Sequence, residues 1–249
     1  MRAAATKVSA VDLLERATLA RTSGLRAKYA TRGLAKNGAD RTTQAMLLRQ
    51  LYLAHMETEH FDEALVVADQ MIATGVMTDV ARQDAARACL GLDEPERALE
   101  HLRIASRVGP ASRRSFHLWT LGSTLYLLGR HREAAGALAR AARWGTTAKP
   151  LYLAQLALAR QAAGDDVDVE DFVELRERLE DAPCGQGYGQ FVLGAIAFQQ
   201  RDYLAAKRYL EGFVKRTTEG RVALAVALRA EVEEARRLLR DMRKPASVL

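Results

Sequence analysis

Apolar residues recur along this chain every three or four positions, not in alternation, and the recurrences come in pairs. Apolar first members span roughly 45–58, 79–91, 115–128, 150–163 and 187–200. Each is followed by a short polar turn: "ETEHF", "LDEP", "LGRH", "AGDD" or "QQRDY". A second segment then keeps small and apolar residues to one side, as with Ala98, Leu102 and Ala105 before the stop at Pro110. Short connections make successive helices antiparallel neighbours, so the pattern predicts a series of helical hairpins.

The hairpins repeat. Leu121-Gly122 in "LWTLGSTLYLLGRHREAAGALARAARWG" matches Leu193-Gly194 in "GQFVLGAIAFQQRDYLAAKRYLEGFVKR", 72 residues on. Ala134 matches Ala206 and Leu138 matches Leu210 at the same offset. Upstream, Ala64 and Ala98 are 34 residues apart, and Ala134 follows 36 later. A period of this length is the mark of stacked two-helix units. The small residues let the two helices of a unit approach closely. In the unit at 150–183 the same register puts Val169 where Ala is expected.

On these residues the chain resembles the tetratricopeptide repeat family, whose units follow W-x2-L-G-x2-Y…A-x3-F…P over 34 residues. The unit from Leu118 supplies Leu121-Gly122, Leu125, Gly129, Ala134, Leu138 and Ala141, and the unit at 79–112 adds Pro110. The first-helix tryptophan is replaced throughout, by Leu48, Arg82, Leu118, Leu153 and Gln190. The resemblance implies an all-α, right-handed α-solenoid of antiparallel helix pairs with terminal capping helices. It predicts three segments: an N-terminal helical pair or cap over 1–44, about five pairs over 45–220, and a C-terminal capping helix with a short tail over 221–249. "SAVD" suits a helix start, with Ser9 capping and Asp12 three residues on. In 221–244, Leu224, Leu228, Val232, Ala235, Leu239 and Met242 share one side, as expected of a helix covering the end of a stack.

Composition narrows the function classes. The 249 residues are 49% hydrophobic and only 6% aromatic, with five prolines, which favours helices over a β-sandwich. No apolar run is long enough for a membrane span, and the N-terminus has no secretory pattern. The two cysteines, Cys89 and Cys184, are far apart, and a reducing cytoplasm is expected. Arg outnumbers Lys 30 to 7, a compositional bias from which a GC-rich, bacterial genome is expected. The net charge of +6 is laid out in blocks: +6 over 1–44, −7 over 45–100, +9 over 101–160, −7 over 161–186 and +5 over 187–249.

Catalytic chemistry finds little support. "PCGQGYGQF" places glycines at 185, 187 and 189, matching neither GxGxxG nor GxxxxGK[ST], and it follows a predicted helix where a phosphate loop follows a strand. It reads as a turn between repeats, and Cys184 has no neighbouring histidine to activate it. "HMETEH" spaces His55 and His60 by five, about 140° apart on a helix, where a zinc pair needs one face. No enzyme activity, cofactor or metal is expected.

The expected function is a non-catalytic protein-interaction adaptor. A helical-pair solenoid presents a concave surface lined by its first helices. In the register above, Phe116, Trp119, Tyr126, Tyr188, Phe191 and Phe198 either face that groove or pack between repeats. Arg113 and Arg114 stand at its mouth and suit a peptide or helix, including an acidic one, of a partner protein. The alternative is a nucleic-acid-binding solenoid using the Arg-rich block 101–160, with steep salt dependence. The oligomeric state is not legible, and a terminal helix occupying the groove is compatible with the sequence.

Overall fold

The computed structural model describes residues 8–242; the beginning of the expected N-terminal segment and the tail beyond Met242 lie outside the described residues. The described elements are helical, and the chain divides after Gly109 into two compact units. The first unit holds α1 (Ala10–Thr18), α2 (Ser23–Leu34), α3 (Arg41–Glu57), α4 (Phe61–Ala73), α5 (Thr78–Gly91) and α6 (Pro95–Val108). The second holds α7 (Ala111–Leu127), α8 (His131–Trp144), α9 (Lys149–Ala162), α10 (Val169–Glu180), α11 (Tyr188–Gln199), α12 (Tyr203–Thr218), α13 (Val222–Ala227) and α14 (Arg229–Asp241). Both are built as α-solenoid segments in which each helix packs on the next, except at the C-terminal end, where α14 packs on α12 and α11.

The five expected turns share one backbone device. Each first helix ends on a residue with positive φ: Glu59, Asp93, Gly129, Gly164 and Arg201. The following N–H then reaches back five residues to a carbonyl: His60 to His55 at 3.0 Å, Glu94 to Cys89 at 2.9 Å, Arg130 to Leu125 at 2.9 Å, Asp165 to Arg160 at 3.0 Å and Asp202 to Ala197 at 2.9 Å. This is the Schellman closure, which satisfies carbonyls that a helix end leaves open. Glycine takes the left-handed position in only two of the five, so three turns hold a side chain in a backbone region that costs about 1 kcal/mol.

The second helix begins two residues after the left-handed residue in four of the units, and its fourth residue is Ala64, Ala98, Ala134 or Ala206, each fully buried. The unit at 150–183 departs from this. Its turn is longer, α10 starts at Val169, and the fourth residue is Phe172, buried at 3% exposure. The register that assigned Val169 to the small position is therefore corrected: Val169 is exposed, and a large side chain separates α9 from α10.

Close approach elsewhere depends on glycine. A Cβ on Gly122 would lie 2.6 Å from Leu138, and one on Gly194 would lie 2.6 Å from Leu210. These are the residues whose 72-residue match marked the repeat. At the N-terminus, Ser9 and Asp12 form a reciprocal capping box, the Ser9 N–H donating to Asp12 Oδ2 at 2.8 Å and the Asp12 N–H donating to Ser9 Oγ at 3.1 Å. The C-terminal helical stretch is divided at Leu228 into α13 and α14.

In the first unit the first helices are joined by polar contacts. Arg49 of α3 and Arg87 of α5 both pair with the buried Asp84, at 3.2 and 3.0 Å, and the Tyr52 hydroxyl donates to the Asp84 carbonyl at 2.7 Å. The spacing from Tyr52 to Asp84 is 32 residues, one repeat's reach, and the second unit uses it again.

Candidate functional site

The candidate residues of the second unit start from α7, where Phe116, Trp119, Ser123 and Tyr126 follow one another at helical spacing. The Trp119 indole N–H donates to Gln155 Oε1 of α9 at 2.7 Å, and the Ser123 hydroxyl donates to the same oxygen at 3.0 Å. Ser123 and Gln155 are 32 residues apart, as Tyr52 and Asp84 are. Tyr188 of α11 sets its ring edge on Trp119 at 4.8 Å, and Tyr152 of α9 stacks beside Trp119 at 6.0 Å. The three first helices thus share an aromatic face with a polar centre.

Helix α14 packs on α12 and α11 and reaches the edge of that face at Tyr188 and Tyr126. Val232, Ala235 and Leu238 of α14 are buried in the same hydrophobic cluster as Phe191 and Leu193, with Trp119, Tyr126 and Tyr188 packed against it. Glu231, the buried carboxylate of α14, stands beside the Tyr188 hydroxyl. Burial, and then the Glu231 charge, push the Tyr188 phenol well above its usual range; Ser123 and Gln155 act in the opposite direction. The Tyr188 hydroxyl has no hydrogen bond of full geometry, and Gln155 Nε2 is likewise buried without a partner. Further along α14, Glu234 and Arg237 act on Tyr126, whose phenol is pushed up to about 12, by burial first and Glu234 second, with Arg237 opposing. Arg237 is itself held by Glu234 at 2.6 Å and Asp241 at 2.9 Å.

The expected residues therefore divide. Trp119 and Tyr188 meet edge to face, and α14 stands beside Tyr188 through Glu231 and beside Tyr126 through Glu234 and Arg237. Phe191 is enclosed at 2% exposure against Phe213, in the core. Phe198 is half-buried against Tyr203, by the turn to α12. Phe116, 40% exposed, lies at the rim, 5.6 Å from Trp119. Arg113 is exposed at the start of α7. Arg114 lies over the ring of Trp144, at 5.5 Å, and Arg143 lies at 5.7 Å from the same ring.

Sequence reasoning did not single out Gln155, Ser123, Glu231 or Trp144. Gln155 carried a signal, as the one polar residue inside "LYLAQLALA". Trp144 is 54% exposed although it is one of only two tryptophans.

The glycine stretch is a packed connection. Pro183–Gly185 forms a 3-10 turn after α10. Cβ atoms on Gly185 and Gly189 would fall 2.0 Å from the Leu179 carbonyl oxygen and 2.2 Å from that of Cys184, so these positions exclude side chains. Gly187 takes φ +63°. Burial pushes the Cys89 thiol up. Among the described residues, no group of three His, Cys, Asp or Glu is placed to hold a metal, and no helix is long and apolar enough to cross a membrane.

The chain shares its fold with PilF of Pseudomonas aeruginosa. The structure from a functional characterization of PilF, a protein containing tetratricopeptide repeats, superposes with a TM-score of 0.51 over 81% of this chain and 90% of that one, at 20% identity. At this identity the likeness to PilF concerns architecture: an α-solenoid of helix pairs. No family profile matches the chain, and no curated protein matches its sequence.

Proposed function

We propose that this protein is a non-catalytic interaction scaffold whose second unit holds an amphipathic helix on the shared face of α7, α9 and α11. The observation that carries the reading is the seating of α14: an amphipathic helix already packs on α11 and α12, its apolar side in the cluster that Trp119 and Tyr188 border and Glu231 beside the Tyr188 hydroxyl. Rigid aromatic residues around buried donors are the chemistry of a binding hot spot, and a helix laid by its apolar side on such a face is a recurrent recognition mode. In this reading α1 and α2 cap the N-terminal end, five hairpins over 45–220 form the body, and the partner is another protein met in the cytoplasm.

The test is site-specific photo-crosslinking in source cells, with a photoreactive side chain at Phe116, on the rim beside Trp119. The control position is Leu204 on α12, 84% exposed. A protein crosslinked from position 116 and not from 204 supports the scaffold. Equal labelling from both positions, or none from 116 in either the native chain or one whose α14 is loosened, sinks it.

A second reading uses another surface. Trp144 is exposed between Arg114 and Arg143, Arg140 has no carboxylate partner among the described residues, and Glu133 is the one acid between 111 and 164. An aromatic ring among guanidinium groups suits a single-stranded nucleic acid. Binding that weakens steeply with salt and is lost in Trp144→Ala would favour this surface over the shared face.

A further inference from the structure

We infer that this chain associates head to tail with further copies of itself. The exposed side of α8, which is basic and carries Trp144, docks on the exposed side of α10 of the next copy, which is acidic and carries Val169 and Val173. Neither surface belongs to the shared face of α7, α9 and α11, so this goes beyond the scaffold reading.

Both surfaces lie in the second unit, and they match. Arg132, Gly136, Arg140 and Trp144 recur every fourth residue along α8 and all are exposed, so they form one ridge. The two arginines of the ridge have no carboxylate partner among the described residues. The Trp144 ring at its end is flanked by Arg114 and Arg143. On α10, Val169, Val173 and Glu177 recur in the same way, with Glu170 and Glu174 on the ridge beside them. Val169 is 67% exposed and Val173 45%. Glu170 and Glu177 have no cationic partner among the described residues, nor have Asp166 and Asp168 just ahead of the helix.

The two surfaces cannot meet inside one chain. Helices α8 and α10 each run antiparallel to α9 through a short connection, so they point the same way. Trp144 at the end of α8 is therefore separated from Val169 at the start of α10 by the length of α9, 14 residues or about 21 Å. Between copies, α8 laid antiparallel on α10 sets Trp144 on the two valines, with Arg140 toward Glu177 and Arg143 toward Glu170. The same orientation brings the negative end of the α8 dipole to the positive end of the α10 dipole. Each copy contributes a different surface, so the contact is heterologous. One α8 side and one α10 side stay free after every pairing, and growth continues past a dimer.

The Trp144 surface is also the one that suits a single-stranded nucleic acid. A polyanion would answer only the arginines. A second copy answers them and also takes up the exposed valines and the unpaired acids of α10, which a nucleic acid would be repelled by.

The test is sedimentation equilibrium on the nuclease-treated full chain. At low salt and chain concentrations up to about 100 μM, the range of weak protein contacts, the average mass should climb past that of a dimer. Salt at about 1 M should return the chain to monomer, because it screens exposed charges beyond ~3 Å. Arg140→Glu with Arg143→Glu on α8, and separately Glu170→Arg with Glu177→Arg on α10, set like charges across the contact. Each pair should weaken association at least about tenfold. All four positions are exposed, and circular dichroism checks that both variants keep their helices. Mixing the two variants should restore a complex, since each supplies the native surface that the other lacks. A wild-type chain that stays monomeric or stops at a dimer, association indifferent to either reversal, or a mixture that stays monomeric overturns the inference. A labelled single-stranded oligonucleotide bound alike by the wild-type chain and the α10 variant, and lost by the α8 variant while the wild-type chain is monomeric, gives the surface to nucleic acid and also overturns it. Crosslinking at position 116 reports on the scaffold alone, so the two readings fail separately.

Discussion

Trp119 and Gln155 are 36 residues apart and are joined by a 2.7 Å hydrogen bond from the indole N–H to the amide oxygen. The bond ties α7 to α9 across one repeat, and Ser123 reinforces it from the next turn of α7. Arg49 and Tyr52 make the equivalent reach to Asp84 in the first unit, over 35 and 32 residues. Successive first helices are thus pinned by side-chain polar bonds as well as by apolar packing.

Gln155→Leu is expected to lower stability by about 1–3 kcal/mol, because it strands the Trp119 and Ser123 donors in a buried place. Combining it with Trp119→Phe should cost less than the two single changes summed, by about 1 kcal/mol. Urea denaturation of the four proteins of the cycle measures the coupling. Additive losses would mean that the bond does not hold α7 to α9.

Gly122→Ala should cost about 1–3 kcal/mol by forcing α7 and α8 apart at Leu138, and Gly194→Ala should cost a similar amount at Leu210. Gly136, an exposed residue in α8 with nothing near its missing Cβ, gives the opposite sign. There, alanine should stabilise by about 0.5–1 kcal/mol. Thermal melts of the three variants decide it; equal shifts would refute close packing as the reason for the two repeat glycines.

Tyr126 makes the contact with α14 visible in alkali. Its phenol is raised from 10.0 to about 12 in the folded chain, so the folded state holds the proton more tightly than the unfolded state. That contribution is complete below pH 10 and drains away as the pH rises from 10 to 12. Tyr126→Phe keeps the ring without the titration, and should lose less stability than wild type across that window, by about 2 kcal/mol. Parallel stability–pH curves for the two proteins would show that Tyr126 is open to solvent.

Much of this architecture is legible in the sequence because turns and small residues have local causes. "LGRH" and "QQRDY" mark helix ends by their own chemistry, and Ala134 and Ala206 mark the close approaches. Phe172 was not legible. The turn before α10 is three residues longer than the others, so a fixed period points to Val169, and only the observed helix start shows where the register moved. Phe191 is one turn from groove to core, a distinction that depends on how α11 is rotated against α12. Glu231 was not legible because a carboxylate among the charges of α14 reads the same whether it meets water or a buried hydroxyl, whereas Gln155 stands out only by the apolar run around it.

Phe172 also bears on consensus engineering of this chain. Averaging its five hairpins would install alanine at 172, since four of the five positions in that register are alanine. In this hairpin the neighbouring helices have grown around a phenyl ring, so the majority residue would hollow the molecule. Phe172→Ala is expected to cost about 3–5 kcal/mol, read as a lower denaturation midpoint. The outlying residue at this position is the adapted one, and uniform repeats would make this protein weaker.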